Sequence, residues 1–272
     1  MIRLTLFLAM FSFAVHASTP VYDDFDAHKS YLAYFSKDKK RKPCDNSPGL
    51  ADSHVLALSW QPGFCETYGY EAGKSECLQL APDTYQANHL VLHGLWPNQK
   101  NCGVRYGYCG VRFKSRHCDY SPVQLSDAVA EDLRQFMPSF AYGSCLERHE
   151  WSKHGSCQIL SADNYFSLAM QLTRGANQTT LAEFLSEHRG ETVGRTELRR
   201  EVVKAFGEEA AHKVFLGCKN GMLVDVFIQL PALIPQTESL ETLMYKAPDV
   251  ARNDACPEKI GISDFNNETW AL

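Results

Sequence analysis

Cys145-Leu146-Glu147-Arg148-His149-Glu150-Trp151-Ser152-Lys153-His154-Gly155-Ser156-Cys157 holds two histidines, a carboxylate and a lysine within six consecutive positions between two cysteines. Read as a helix, it places residues four apart on one face, so Glu150 stands beside His154 and His149 beside Lys153. Gly155 ends the helix and Cys157 can pin that end to another segment. A solvated charged face is the ordinary reading of any one of these residues. Four protic groups on one ridge point instead to chemistry. His149-Glu150 resembles the opening of the zinc motif H-E-x-x-H, which requires histidines four apart. Here they are five apart, about 140° around a helix, and Lys153 occupies the ligand's place. Zinc is therefore not expected, and the sequence offers no sign of another cofactor. Acid–base chemistry beside a positive charge remains, and it needs a partner from elsewhere in the chain.

The termini of the chain set its context. Met1-Ile2-Arg3, an apolar run to Val15 and Val15-His16-Ala17 read as a signal peptide over residues 1–17. No other apolar run approaches about 18 residues, so the mature protein is expected to be soluble, without membrane contact. Residues 18–50 form a polar N-terminal arm carrying Lys37-Asp38-Lys39-Lys40-Arg41-Lys42. Residues 51–272 read as one domain, long enough and apolar enough to bury a substantial core. The formal charge of -5 becomes -6 once Arg3 is removed. That excludes a basic nucleic-acid coat protein, but not an acidic protein that concentrates positive charge in one cleft. Ten cysteines in an exported chain favour five disulfides.

Residues 54–60 alternate Val55, Ala57 and Ser59 against Leu56, Leu58 and Trp60, as a strand does. Residues 89–94 read as a second strand ending at His-Gly, and 214–218 and 222–230 as two more joined by a turn at Asn220-Gly221. Between them lie helices. One starts at Ser121-Pro122 and carries Leu125, Val129, Leu133 and Phe136; the others are 145–154, a segment from Ser161 with Tyr165, Ala169 and Leu172, 180–189, and 196–206. Strands early and late with helices in the middle predict an α+β fold, an antiparallel central sheet packed with helices. Asn177-Gln178-Thr179 and Asn267-Glu268-Thr269 match the N-glycosylation pattern, which matters only in a glycosylating host.

The partner for the helix is sought in Leu92-His93-Gly94-Leu95-Trp96-Pro97-Asn98, where an imidazole stands at a strand margin and glycine permits a sharp exit. Transfer between two oxygens requires one group to take a proton and another to give one. With both segments on the page, the chain resembles the ribonuclease T2 family, whose two active-site boxes match residues 93–97 and 149–157. The resemblance extends more loosely from about Val55 to Cys256, and is greatest to the bacterial periplasmic branch.

The resemblance implies a ribonuclease T2-like, disulfide-reinforced fold and an exported, periplasmic or secreted, metal-independent endoribonuclease. It would cleave single-stranded RNA with low base specificity, through 2′,3′-cyclic phosphate ends that are then hydrolysed to 3′-phosphates. Carried over by residue, His154 is the base, His93 the acid, Glu150 and Lys153 surround the phosphorane and His149 holds the phosphate. Trp96 would stack on a base and Asn98 would line the substrate site. Asn98 stands where Asp is frequent, and Glu147 and Arg148 where many members carry aromatics. The family pattern implies disulfides Cys218–Cys256, Cys118–Cys157, Cys44–Cys102, Cys65–Cys77 and Cys109–Cys145. RNA is the expected partner, with no stable DNA binding, and the protein is expected to be a monomer. Two other readings stand beside this one: a binding or signalling protein on the same fold, expected to have lost one histidine, and a metallohydrolase, opposed by the spacing above.

Overall fold

A computed structural model describes residues 44–103, 105–249 and 254–265. The signal-peptide segment, the lysine run of the arm and Asn267 lie outside the described residues.

Six strands build the sheet: β1 (Ser53–Trp60), β2 (Leu90–Asn98), β3 (Glu191–Gly194), β4 (Val214–Lys219), β5 (Met222–Pro231) and β6 (Lys259–Ile262). β1 pairs antiparallel with β2 on one side and β5 on the other, and β5 also pairs antiparallel with β4. A single parallel bridge, Met222 to Gly261, joins β6 to the foot of β5, and β6 pairs antiparallel with β3. The hairpin between β4 and β5 turns at Asn220 (φ 50°) and Gly221 (φ 85°), where two consecutive left-handed residues match the twist of the strands.

Six helices of seven residues or more occur among the described residues: α1 (Asp127–Phe136), α2 (Leu146–Lys153), α3 (Ala162–Asn177), α4 (Thr180–Glu187), α5 (Arg195–Phe206) and α6 (Leu240–Lys246). The fold is α+β, as the order of elements predicts. Alternation divides β1 between two apolar layers. Leu56, Leu58 and Trp60 join Leu90, Leu92 and Leu95 beneath Leu133, Tyr165, Leu172, Leu185 and Leu198 of the helices, while Val55 and Ala57 meet Trp96, Phe215 and Phe227 on the opposite face. Each fully buried Leu contributes about 1.5–3 kcal/mol, so the helical face carries most of the stability.

Three expectations are corrected. The helix placed at Ser121-Pro122 begins at Asp127, because Ser126 is extended and its N–H is held by the Asp163 carboxylate, 2.9 Å away. β2 does not end at His93-Gly94 but runs on to Asn98. The pairings Cys118–Cys157 and Cys109–Cys145 are exchanged: the bridges are Cys118–Cys145 and Cys109–Cys157, beside Cys44–Cys102, Cys65–Cys77 and Cys218–Cys256. The reason is that the loop antiparallel to α2 arrives at each end of the helix in order. The Tyr108 N–H bonds to the Lys153 carbonyl (2.8 Å) and the Cys109 N–H to Ser156 Oγ (3.1 Å), at the C-terminal end of α2. Arg148 Nη1 donates to the Cys118 carbonyl near the N-terminal end (3.3 Å). Crossed bonds would have to span an eight-residue helix, about 12 Å, far beyond the Cα separations of 5.0 and 5.1 Å found here.

The Asn177 sequon is part of the framework. Its side chain accepts from the Leu90 N–H (2.9 Å) and donates to the Leu90 carbonyl (2.8 Å) and Tyr85 OH (3.2 Å), tying the end of α3 to the start of β2.

Candidate active site

A fault in the pairing of β1 with β2 creates the site. Ala57 faces Gly94 but Leu58 faces Leu92, so His93 is the extra residue of a β-bulge. The bulge breaks the parity of the strand. Leu90 and Leu92 precede it on the helical face, Leu95 follows on that same face, and His93 and Trp96 therefore share the other side. Tyr165 of α3 fixes the register just beyond the bulge: its OH donates to the Leu95 carbonyl (2.9 Å), and burial pushes that phenol well above its ordinary pKa, with the nearby Glu150 carboxylate adding to the effect.

α2 supplies the rest. Its ridge is buried rather than solvated, with His149, Glu150, Lys153 and His154 all enclosed. Glu150 Oε2 accepts the Trp96 indole N–H at 2.8 Å, and Glu150 Oε1 lies 3.8 Å from His93 Nε2. The indole separates the two histidines. His154 stacks on its face at 5.3 Å with the planes 20° apart, and His93 meets it edge-on at 5.4 Å. Gly94 permits this approach, because a Cβ there would fall 1.8 Å from Glu150 Oε2. Three of the sequence-predicted residues, His93, Glu150 and His154, thus converge on the indole of a fourth, Trp96.

Two others face a second direction. The rings of Tyr108, Tyr120 and His117 surround His149, His117 at a centroid distance of 4.4 Å, and the Lys153 carbonyl holds the Tyr108 amide. The i, i+4 reading of the helix is therefore realised as two pairs: Glu150 with His154 toward β2, and His149 with Lys153 toward the loop. Arg148 and Glu147 brace that loop. Arg148 donates to the Cys118 and Tyr120 carbonyls and pairs with Glu147 (3.3 Å), whose carboxyl is pushed up by burial against the opposing pull of Arg148.

Trp96 is 2% exposed, with His154 stacked on one side and Phe227 tilted against it at 5.7 Å. Asn98, half-buried at the end of β2, offers its carbonyl to the Asp52 N–H (2.9 Å).

Asp225 was not anticipated. It lies in β5, is 3% exposed, accepts a hydrogen bond from Ser59 Oγ (3.1 Å) and approaches His93 Nδ1 at 3.9 Å. The signal available was a lone carboxylate inside the apolar run Met222-Leu223-Val224-Asp225-Val226-Phe227-Ile228. A buried charge in a central strand demands a partner. Among the described residues, no group of three or more His, Cys, Asp or Glu side chains has the arrangement of a metal centre.

A family model described as Ribonuclease T2 family matches residues 51–239. The chain belongs to the ribonuclease T2 family. It is 31% identical over 206 residues to Ribonuclease I of Escherichia coli (strain K12), spanning 68% of this chain and 76% of that protein. A probable ribonuclease of Haemophilus influenzae is 33% identical over 131 residues, 47% of this chain and 44% of that one. Among solved structures, the self-incompatibility-associated SF11-RNase of Nicotiana alata aligns with a TM-score of 0.52 and 16% identity, over 78% of this chain and 99% of that chain. RNase NT, solved in complex with 5′-AMP, aligns with a TM-score of 0.52 and 21% identity, over 78% and 98%. These last two share the fold. This T2 ribonuclease is an RNA-cleaving endoribonuclease, and its substrate is RNA.

Proposed function

We propose that the ribonuclease cleaves single-stranded RNA by moving the phosphate within its own ribose, without a metal, and that His93, Glu150, His154, Lys153 and His149 do the chemistry. The observation that carries this reading is the arrangement of His93 and His154 on the edge and face of one indole whose N–H holds Glu150. In the first step His154 removes the 2′-hydroxyl proton, and the 2′-oxygen attacks phosphorus. The bond to the 5′-oxygen breaks as His93 delivers a proton to it, leaving a 2′,3′-cyclic phosphate. In the second step the roles reverse: His93 activates water, His154 returns a proton to the 2′-oxygen, and a 3′-phosphate remains. Imidazole, which ordinarily titrates near pH 6.5, suits both roles. The Lys153 ammonium opposes charge developing on the phosphoryl oxygens, a contribution typically worth about a hundredfold or more in rate. His149 holds the phosphate, and Asp225 orients His93 from the opposite side to Glu150.

DNA has no 2′-hydroxyl and is not a substrate of this mechanism. Little base preference is part of the proposal, because the imidazoles, carboxylate and amine address phosphate and ribose oxygens common to all nucleotides. Export is also proposed, from the reading of residues 1–17 and from the pairing of all ten cysteines, which favours an oxidising compartment.

The test is incubation of the purified mature protein with the dinucleotide CpA in EDTA, with mass identification of the products. Cytidine 2′,3′-cyclic phosphate, lost in folded His93→Ala and His154→Ala variants, is the expected outcome. Activity abolished by the chelator and restored by zinc, or persistent turnover by either variant, overturns the mechanism.

A further inference from the structure

We infer that residues 105–120 form a second RNA-binding surface, a fixed basic and aromatic strap that grips the strand beyond the scissile phosphate; the inference rests on the RNA cleavage proposed above. The whole chain carries a formal charge of -5, yet residues 105–119 hold Arg105, Arg112, Lys114 and Arg116 against Asp119 alone, a net of +3. A solvated loop would account for the charge by itself. It would not account for how this loop is held.

Disulfides Cys109–Cys157 and Cys118–Cys145 fasten it at both ends to the two ends of α2. Tyr108 sits at φ 54°, where side chains are rarely found, with its amide on the Lys153 carbonyl. The strap is thus fixed to the same helix that carries His149, Glu150, Lys153 and His154. Its inner end meets the site at His117, whose ring is tilted against His149, and its outer part is exposed. The Arg116 side chain remains 71% exposed although it is paired with Asp119. Phe113 is 57% exposed, with its ring supported edge-on by Tyr108 at 5.6 Å. A supported, solvent-facing ring among cations is what single-stranded RNA recognition uses: bases stack on aromatics while phosphates meet positive charge, with little regard to sequence. The continuity from His149 to Phe113 gives a strand leaving the site a surface to follow.

The expected magnitude follows from counterion release. On a single strand each phosphate contact contributes about -0.7 to the slope of log affinity against log salt, so three cations contribute about -2, or roughly twentyfold between 50 and 200 mM salt. The experiment compares kcat/KM on CpA and on a 20-residue oligouridylate in EDTA at both salt concentrations. The variants are a triple Arg112→Gln, Lys114→Gln, Arg116→Gln protein, Phe113→Ala, and a control triple Arg200→Gln, Lys204→Gln, Lys246→Gln. The strap triple should lose about tenfold of its preference for the 20-mer over CpA at 50 mM salt, and its salt slope should flatten by about 2. Phe113→Ala should lose about fivefold or more of that preference, and the control triple none. Equal losses on both substrates, or an unaltered preference in both strap variants, overturn the strap alone. Absence of cleavage of either substrate by the unaltered protein overturns the reading on which it rests.

Discussion

Gly94→Ala tests the assembly of the site through a single methyl group. A Cβ at this position falls 1.8 Å from Glu150 Oε2 and 2.6 Å from Glu150 Cδ and Trp96 Nε1. Non-bonded carbon and oxygen settle near 3.5 Å, so the carboxylate would have to retreat by about 1.7 Å. Glu150 is fully buried, and retreat breaks the 2.8 Å bond from the indole. Loss of a charge-assisted hydrogen bond to a buried carboxylate costs about 1.5–3 kcal/mol, which for a domain of this size lowers the melting temperature by roughly 5–10 °C. A misplacement of about 1 Å at the chemistry costs on the order of a hundredfold in rate. The variant should therefore remain folded at 25 °C, melt lower by that interval and cleave CpA about a hundredfold more slowly. Gly194→Ala is the control, since its added Cβ meets nothing closer than 3.9 Å, and it should match the parent in both assays. A folded Gly94→Ala protein that cleaves CpA within threefold of the parent would refute the claim that Glu150 must stand where it does.

Trp96→Phe keeps an aromatic face but removes the N–H that holds Glu150, so kcat on CpA should fall about tenfold or more with little change in KM; a raised KM with kcat intact would mean that the ring serves instead as a base platform. Asp225→Asn preserves shape while removing the charge near His93 Nδ1, and should shift the pH–rate profile as well as lower kcat about tenfold or more, whereas an unmoved profile would leave Asp225 a purely structural partner of Ser59. His54 is buried, and desolvation lowers its pKa below 6.5 despite the opposing bond to the Pro231 carbonyl. The unfolded chain therefore takes up this proton first as pH falls, so the stability His54 contributes is full above about pH 6.5 and is lost below it. Thermal melts between pH 7.5 and 5 should show a smaller acid loss for His54→Gln than for the parent, and parallel loss in both proteins would remove His54 from the account.

What could be read from the sequence depended on how local the cause was. β1 follows from alternation, β4 and β5 from short apolar runs around the Asn220-Gly221 turn, and the paired faces of α2 from a four-residue spacing, all written in neighbouring residues. The bulge at His93 was not legible, because it exists only in the register between β2 and β1, and residues 89–94 alone satisfy an unbroken strand. The same limit explains the exchange of two disulfides: the sequence gives the cysteines but not the direction in which the loop runs along α2. Trp96 shows the difficulty for a site. An exposed and a buried indole read alike in one dimension, and only Glu150, more than fifty positions away, decides between them. Asp225 was visible as an anomaly in an apolar strand, but its target was not. β3 and β6 are each four residues long and carry too few alternations to stand out.

The strand at the middle of the sheet has its own timetable. β1 is held on one side by β2, which follows it closely, but its other edge waits for β5: the Ser59–Asp225 bond spans 166 positions and the His54–Pro231 bond 177. Contacts this distant close slowly and cannot close at all until the later segment exists. On a ribosome, both histidines and Glu150 emerge well before Asp225. A nascent or prematurely terminated chain therefore carries His93, Glu150 and His154 without the strand that completes the sheet beside them. The order of the strands thus leaves the sheet around these side chains open until synthesis is nearly finished.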